Sequence, residues 1–371
     1  MLQQILDEIG VTINGNKPYD IKIHDKRFYL EVLKKKSIGA GESYMKGWWD
    51  CDQLDELFYR ICRHKLYDKL SSTLSNLFLN LKYSLFNQQS RSKSETVANV
   101  HYNLGNRLYE CMLGKSMAYT CGYWKEARNL DEAEFAKYEL VCKKMYLNPG
   151  EKVLELGCGW GGLAKYIAEK YGCEVVACDI GREPAAYAKN LCRDLPVKIY
   201  QCDYRDIEVY NLNAEKFDKV VSVGVLEHVG YKNYGTFLDI ARRFIKDDGL
   251  FLLHSIGGNV TKIYCDPWIN KYIFPNGHLP SLKQLGKAFE GRFIVEDLQN
   301  FGAFYDKTLL GWYQNLNAHW HELKSSYDEN FHRMMNYYLL TCAGGFRARD
   351  MELWQFALTP KGMLHGYTSF R

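Results

Sequence analysis

The 371-residue chain contains no Cys-x-x-Cys pair, although it has 12 cysteines. Scattered cysteines without paired spacing exclude a disulfide framework and a zinc knuckle, and point to a reduced interior. No run approaches the roughly 18 uninterrupted apolar residues of a spanning helix, so any membrane contact is expected to be peripheral. No basic leader followed by an apolar run opens the chain. "MLQQILDEIG" reads instead as the start of an amphipathic helix, and the expected location is cytoplasmic. There is no internal repeat or low-complexity tract. Strong charge is absent too. The net charge of +4 is too mild to imply nucleic acid, but it suits an enzyme that visits an anionic membrane surface.

Aromatic residues, by contrast, are plentiful, at 15% with 28 tyrosines. They concentrate in places such as "AYTCGYW", Ala118 to Trp124, where Cys121 sits among rings and no charge.

Residues 1–86 read as a small α+β module. "VTINGNKPYDIKIHD" alternates around Asn14-Gly15, a hairpin signal. Helical periodicity runs from Leu54 to about Phe86. The polar stretch 87–99 has no apolar face and reads as a linker. From residue 100 to 371 the pattern alternates between strand and helix. "KVLELGC", "CEVVACD", "VKIYQCD", "DKVVSVGVLEHV" and "GLFLLHSIG" read as strands with helices between them, and "LWQFALTP" as a late strand. The expected fold class is α/β, with a doubly wound Rossmann-like sheet.

"LELGCGWGG" joins the first strand of that sheet to its first helix. Gly157, Gly159 and Gly162 satisfy G-x-G-x-x-G, which alone is a weak dinucleotide signal. Glu155 ahead of them and Gly161 among them give E-x-G-x-G-x-G, the S-adenosylmethionine form. A carboxylate suits the cationic sulfonium and amino-acid end of that cofactor and would oppose a diphosphate. An NAD-dependent oxidoreductase is the weaker alternative. Asp179 ends the second strand, where it can bind ribose hydroxyls, and Asp203 ends the third, near an adenine.

Glu227 and His254 are placed at the ends of the fourth and fifth strands, with Tyr305 and Cys121 completing a candidate ring. A carboxylate and an imidazole there can hold a small polar species and steer a proton. Taken singly, each residue has a plainer reading: a core histidine, a helix cap, a packed thiol. A zinc site built from Cys121, Glu227 and His254 lacks ligand spacing, and no metal is expected.

These residues, with "HYNLGNRLYECML", "QCDYRD", "SVGVLEHVG", "DPWINKYIFPNG" and "GGFRARD", closely resemble bacterial cyclopropane-fatty-acyl-phospholipid synthases. The match runs nearly end to end and includes "GESYMKGWWDCD" in the N-terminal module. The resemblance implies methyl transfer from S-adenosylmethionine to a cis double bond of a membrane phospholipid. A bound bicarbonate then takes the proton as the ring closes. A methyl-branched product on the same fold is the alternative.

By the same resemblance, Cys121, Glu227, His254, Ile256 and Tyr305 surround the bicarbonate. Tyr119, Thr120, Glu155, Gly157, Cys158, Gly159, Gly161, Asp179, Ile180, Asp203 and Tyr204 hold the cofactor. Cys342 matches a family cysteine and joins the catalytic candidates, with packing its preferred role. Asp179 and Pro184 replace a threonine and a glutamine of the family pattern. Arg347 and Arg349 have two readings, lipid phosphate contact or pairing with Asp350 and Glu352. The family further implies a homodimer at the inner membrane face whose N-terminal modules help to dock on the bilayer. Residues 64–87, lysines among Leu, Phe and Tyr, are a candidate for that contact.

Overall fold

The computed structural model describes residues 2–66, 89, 104–210 and 216–371. Most of the expected 64–87 helix, and the expected linker apart from Gln89, lie outside them. Where the expected 54–86 helix is described, it stops early. Helix α4 ends at Arg63 and the chain turns through His64 and Lys65, whose φ is +51°.

The N-terminal segment comprises α1 (Leu2–Asp7), β1 (Lys22–Ile23), α2 (Arg27–Lys35), α3 (Ser37–Met45), β2 (Trp49–Asp50) and α4 (Leu54–Arg63). The hairpin expected at Asn14-Gly15 does not form. β1 pairs with β2, and Ile13 meets Ile21 in a parallel bridge. The reason is the buried Asp20, whose carboxylate accepts from the Thr12 and Lys17 amides at 2.7 and 2.9 Å. That carboxylate folds the segment into a loop, which the Asn14 side chain closes on the Ile23 amide.

The main body follows the expected alternation. After α5 (Asn106–Met112) and α6 (Leu130–Lys144) come β3 (Lys152–Leu156), α7 (Gly162–Tyr171), β4 (Glu174–Asp179), α8 (Arg182–Leu191) and β5 (Val197–Gln201). Next are β6 (Phe217–Val223), α9 (Leu226–Val229), α10 (Tyr234–Phe244), β7 (Ile245–Gly258), α11 (Pro267–Tyr272) and α12 (Leu282–Phe289). The chain finishes with β8 (Ile294–Asn300), α13 (Ala303–Ala318), α14 (Trp320–Leu323), α15 (Glu329–Arg347) and β9 (Met351–Thr359). Gly172 closes α7 in the left-handed conformation.

The seven-stranded sheet has the order β5-β4-β3-β6-β7-β9-β8. Five strands are parallel, while β9 and β8 are antiparallel additions. The sequence reading had β9 but not β8, whose surface is largely exposed and carries no apolar run. The direction of winding reverses between β3 and β6, and there the strand ends open into a crevice.

Helix α15 carries the N-terminal segment. A Cβ on Gly344 would lie 2.4 Å from the Asp55 carbonyl oxygen and 2.6 Å from the Tyr59 nitrogen, so α15 and α4 meet backbone to backbone. Beside that seam Arg347 binds Asp306 at 2.9 Å and Asp55 at 2.6 Å, so it is neither free for phosphate nor paired with Asp350. Arg349 does pair with Glu352, at 2.7 Å. Tyr337 of α15 packs against Tyr44, Trp49 and Phe58, joining the segment to one continuous apolar cluster with α13 and α15.

Candidate active site

A cavity of about 610 Å³ opens at the reversal point. All of the site residues expected from the sequence line it, except Cys121 and Gly161.

One end is the glycine loop. The Gly157 and Cys158 amides both donate to the Cys178 carbonyl, at 2.9 and 3.0 Å, folding the chain sharply off β3. Gly157 has a φ of +82°, and a Cβ there would strike Val225 at 2.2 Å. A Cβ on Gly159 would meet nothing within 4 Å, since that residue faces open cavity. Gly161 has a different task. A Cβ on it would lie 2.8 Å from that of Ala188, so it permits close approach of α8.

Asp179 organises this end. Its carboxylate accepts from the Gly159 amide at 2.8 Å and the Gly181 amide at 2.7 Å, and retains lone pairs toward the cavity. Burial pushes its pKa up to about 6. Glu155, on β3 and buried, has one carboxylate oxygen without a partner. Burial, with Asp179 beside it, pushes Glu155 up to about 8. An orphaned buried acid on a residue that lines the cavity fits a cationic ligand group. Asp203 is already engaged by Arg205 at 2.8 Å, and Tyr204 stands next to it with its ring edge-on to Phe237.

The raised acids have a consequence for stability. A carboxylate whose folded pKa lies above its ordinary 4.5 holds a proton that the unfolded chain has released. Stability therefore falls as pH rises through that window. Between about pH 5 and about pH 8 the unliganded chain is expected to lose about 1–3 kcal/mol to Glu155 alone. Denaturant titrations across that range check this, with Glu155→Gln expected to flatten the slope. An equal slope in the variant would show that Glu155 does not titrate there.

The other end is the candidate reacting site. The strand expected to run through Glu227 stops at Val223, because Gly224 takes a φ of +72° and α9 follows. Glu227 sits buried in that short helix, and one oxygen accepts from the Ile256 amide at 2.6 Å. The other oxygen has no partner, and burial pushes the group up to about 7. His254 lies within β7 rather than at its end, between Val223 of β6 and Gln355 of β9. Its Nδ1 meets Gln355 Nε2 at 3.1 Å, and its Nε2 is buried without a partner. Burial holds this imidazole well below its ordinary pKa, so it is neutral. The two orphaned atoms, a carboxylate oxygen and an imidazole nitrogen, suit a small ligand carrying both a hydroxyl and anionic oxygens.

Aromatic rings line the remaining wall. Tyr305, near the start of α13, stacks on Phe346 with centroids 4.5 Å apart. Tyr119 hydrogen-bonds Tyr338 at 3.1 Å and packs on Trp312 and Phe274. Cys121 is fully buried behind this wall, its Sγ 3.8 Å from Thr308 Oγ1, and burial pushes its thiol far up, away from thiolate. Cys342 lines the cavity despite its distance in sequence from the glycine loop, and its thiol is pushed up as well.

The sequence reading missed several of these groups. Lys137 and Lys144 are buried on one face of α6, seven residues apart. Lys137 donates to Thr120 at 2.7 Å behind the cofactor end. The signal was available, since two lysines share a helical face with Leu140 and Val141, which the apolar pattern buries. Among the described residues no cluster of three or more His, Cys, Asp or Glu could hold a metal ion.

Residues 88–356 match the family model described as mycolic acid cyclopropane synthetase. The cyclopropane-fatty-acyl-phospholipid synthase of Escherichia coli (strain K12) is 45% identical over 363 residues, covering 98% of this chain and 93% of its own. The solved cyclopropane synthase MmaA2 from Mycobacterium tuberculosis is 25% identical with a TM-score of 0.66, covering 71% of this chain and 97% of its own. The mycolic acid cyclopropane synthase CmaA1 complexed with SAH and CTAB is 28% identical over the same shares, also with a TM-score of 0.66.

Proposed function

Since the chain belongs to the mycolic acid cyclopropane synthetase family and is an S-adenosylmethionine-dependent methyltransferase, we propose that it cyclopropanates unsaturated acyl chains of membrane phospholipids. The observation that carries this reading is one cavity with an orphaned acid at its glycine-loop end, and an orphaned carboxylate and imidazole at its aromatic end.

S-Adenosylmethionine would supply the methyl group, held by the glycine loop, Asp179 on the ribose and Glu155 toward the cationic end. Bicarbonate, held by Glu227, His254, Tyr305 and the backbone at Ile256, would supply the base for the proton that the new methyl loses. The chain's own contribution is enclosure. An alkene is a poor nucleophile, and its cationic product is captured by any water present. The rings of Tyr119, Phe274, Tyr305, Tyr338 and Phe346 line the cavity, and an aromatic wall of this kind would exclude water and stabilise positive charge. Cys121 and Cys342, kept protonated by burial, are spared alkylation.

The phospholipid substrate implies work at a bilayer surface, with residues 1–86 as the docking module and a homodimer at the inner membrane face. Leu30 and Leu33 stand exposed on α2 beside exposed Lys26 and Lys34, a pairing that suits an anionic surface. No described helix is long and apolar enough to cross a membrane.

The test is incubation of the purified chain with S-adenosylmethionine and vesicles of monounsaturated phospholipid, followed by mass spectrometry with fragmentation. The expected result is a gain of one CH₂ per converted chain and a fragment pattern showing a ring. A methyl-branched alkene of the same mass would assign the alternative product. No mass change would sink the reading.

A further inference from the structure

His254, Gln355 and Gln299 stand side by side across β7, β9 and β8, paired in register on one face of the sheet. Lys144 closes the row from α6. Its Nζ donates to Gln355 Oε1 at 2.9 Å and to Gln299 Oε1 at 2.6 Å. All four side chains are at least nine-tenths buried, Lys144 being 1% exposed. A buried lysine hydrogen-bonded to two glutamines, with Asp297 acting on it only through its charge, is a costly arrangement for packing alone.

Its chemistry is directional. As an ammonium, Lys144 offers only N–H groups to these glutamines, so each turns its oxygen toward it. An uncharged amine keeps two N–H bonds, enough for the same two oxygens, with its one lone pair directed away from them. With Gln355 Oε1 committed to Lys144, its Nε2 can only donate to His254 Nδ1, which lies 3.1 Å away. His254 Nδ1 is then an acceptor, and the single proton of the neutral ring resides on Nε2. That is the buried nitrogen left without a partner, on a residue that lines the cavity.

We infer that Lys144 and Gln355 are positioning residues that lock His254 as its Nε2–H tautomer, so that it presents a hydrogen-bond donor to an anion in the cavity. The functional consequence rests on the reading of His254 above as a group that holds an anion. The tautomer itself does not.

The experiment is nitrogen NMR of the unliganded full chain with ¹⁵N-labelled histidine, the His254 signals being assigned by loss in His254→Gln. The expected spectrum shows Nδ1 unprotonated and Nε2 protonated. Gln355→Glu keeps the size but offers only acceptors to both neighbours, and it remains matched to Lys144. It is expected to move the proton to Nδ1 and to cut turnover by roughly 10²-fold or more, as a wrong histidine tautomer does elsewhere. Affinity for S-adenosylhomocysteine should stay within a few-fold.

Nδ1 protonation in the wild type, or an unmoved proton in Gln355→Glu, would overturn the relay while leaving the proposed activity intact. A moved proton with normal turnover would uphold the relay and remove His254 from the proposed reacting site. If Gln355→Glu does not fold, the wild-type spectrum still decides. Lys144→Met then serves as the second variant, expected to give mixed tautomers because the Gln355 amide is no longer held one way round. A single unchanged Nε2–H form in that variant would also overturn the relay.

Discussion

Glu227→Gln is expected to lower turnover by about 10²- to 10⁴-fold, the usual cost of disabling proton transfer, while changing S-adenosylmethionine affinity by less than about threefold. The argument is local. Glutamine keeps the oxygen that accepts from the Ile256 amide, so the side chain stays in place. It replaces the unpartnered oxygen with an NH₂ group, a donor where the cavity had an acceptor. A ligand hydroxyl that needs that acceptor loses its orientation. The glycine loop and Asp179 are untouched, hence the preserved cofactor affinity. His254→Ala should behave alike, because it removes the other orphaned atom. If both variants fold, bind cofactor and turn over normally, then these residues only pack, and the reacting site lies elsewhere. Single-turnover kinetics beside calorimetric binding separate the two cases.

Gly344→Val is expected to destabilise the chain by about 3 kcal/mol, the upper end of overpacking costs. The added atoms would meet the Asp55 carbonyl oxygen and the Tyr59 nitrogen, which are backbone atoms of α4 and cannot swing aside as a side chain would. One of the two helices has to move, and the Arg347 contact with Asp55 across the seam is lost with it. Gly286→Ala is the control. A Cβ at Gly286 on α12 meets nothing within 4 Å, and alanine is the better helix former, so that variant should gain up to about 1 kcal/mol. Denaturant midpoints read both. A Gly344→Val midpoint equal to wild type would mean that the seam between α4 and α15 is loose in solution.

Much of this molecule is legible in its sequence, for identifiable reasons. The glycine loop and Asp179 belong to one strand–turn–helix–strand unit, where the apolar runs end visibly and their chemistry sits at the ends. Glu227 and His254 could be placed on one cavity because parallel strands bring their carboxyl ends to one edge, although neither residue occupies a strand terminus. The Lys144–Gln355–His254 row was not legible. It depends on β9 running antiparallel beside β7 in one register, a pairing between segments about a hundred residues apart. A shift of one residue would turn Gln355 to the other face. The hairpin expected at Asn14-Gly15 failed for a different reason. Alternation was present, but Asp20 drew the local amides to its carboxylate, and a buried side-chain acceptor outweighed the strand pattern.

The α4–α15 seam also bears on inheritance. Gly344 and Arg347 lie near the far end of the chain, yet what they fit is set by residues 55–59 near its beginning. A descendant that shed the first sixty residues would keep a bare glycine groove and an arginine left with Asp306 alone of its three carboxylate partners. Bulk at position 344 would then cease to be harmful, while Arg347 would still be held by Asp306. Loss of the front of this gene and drift at codon 344 are therefore expected to travel together, so that position 344 records whether a lineage still carries the N-terminal segment.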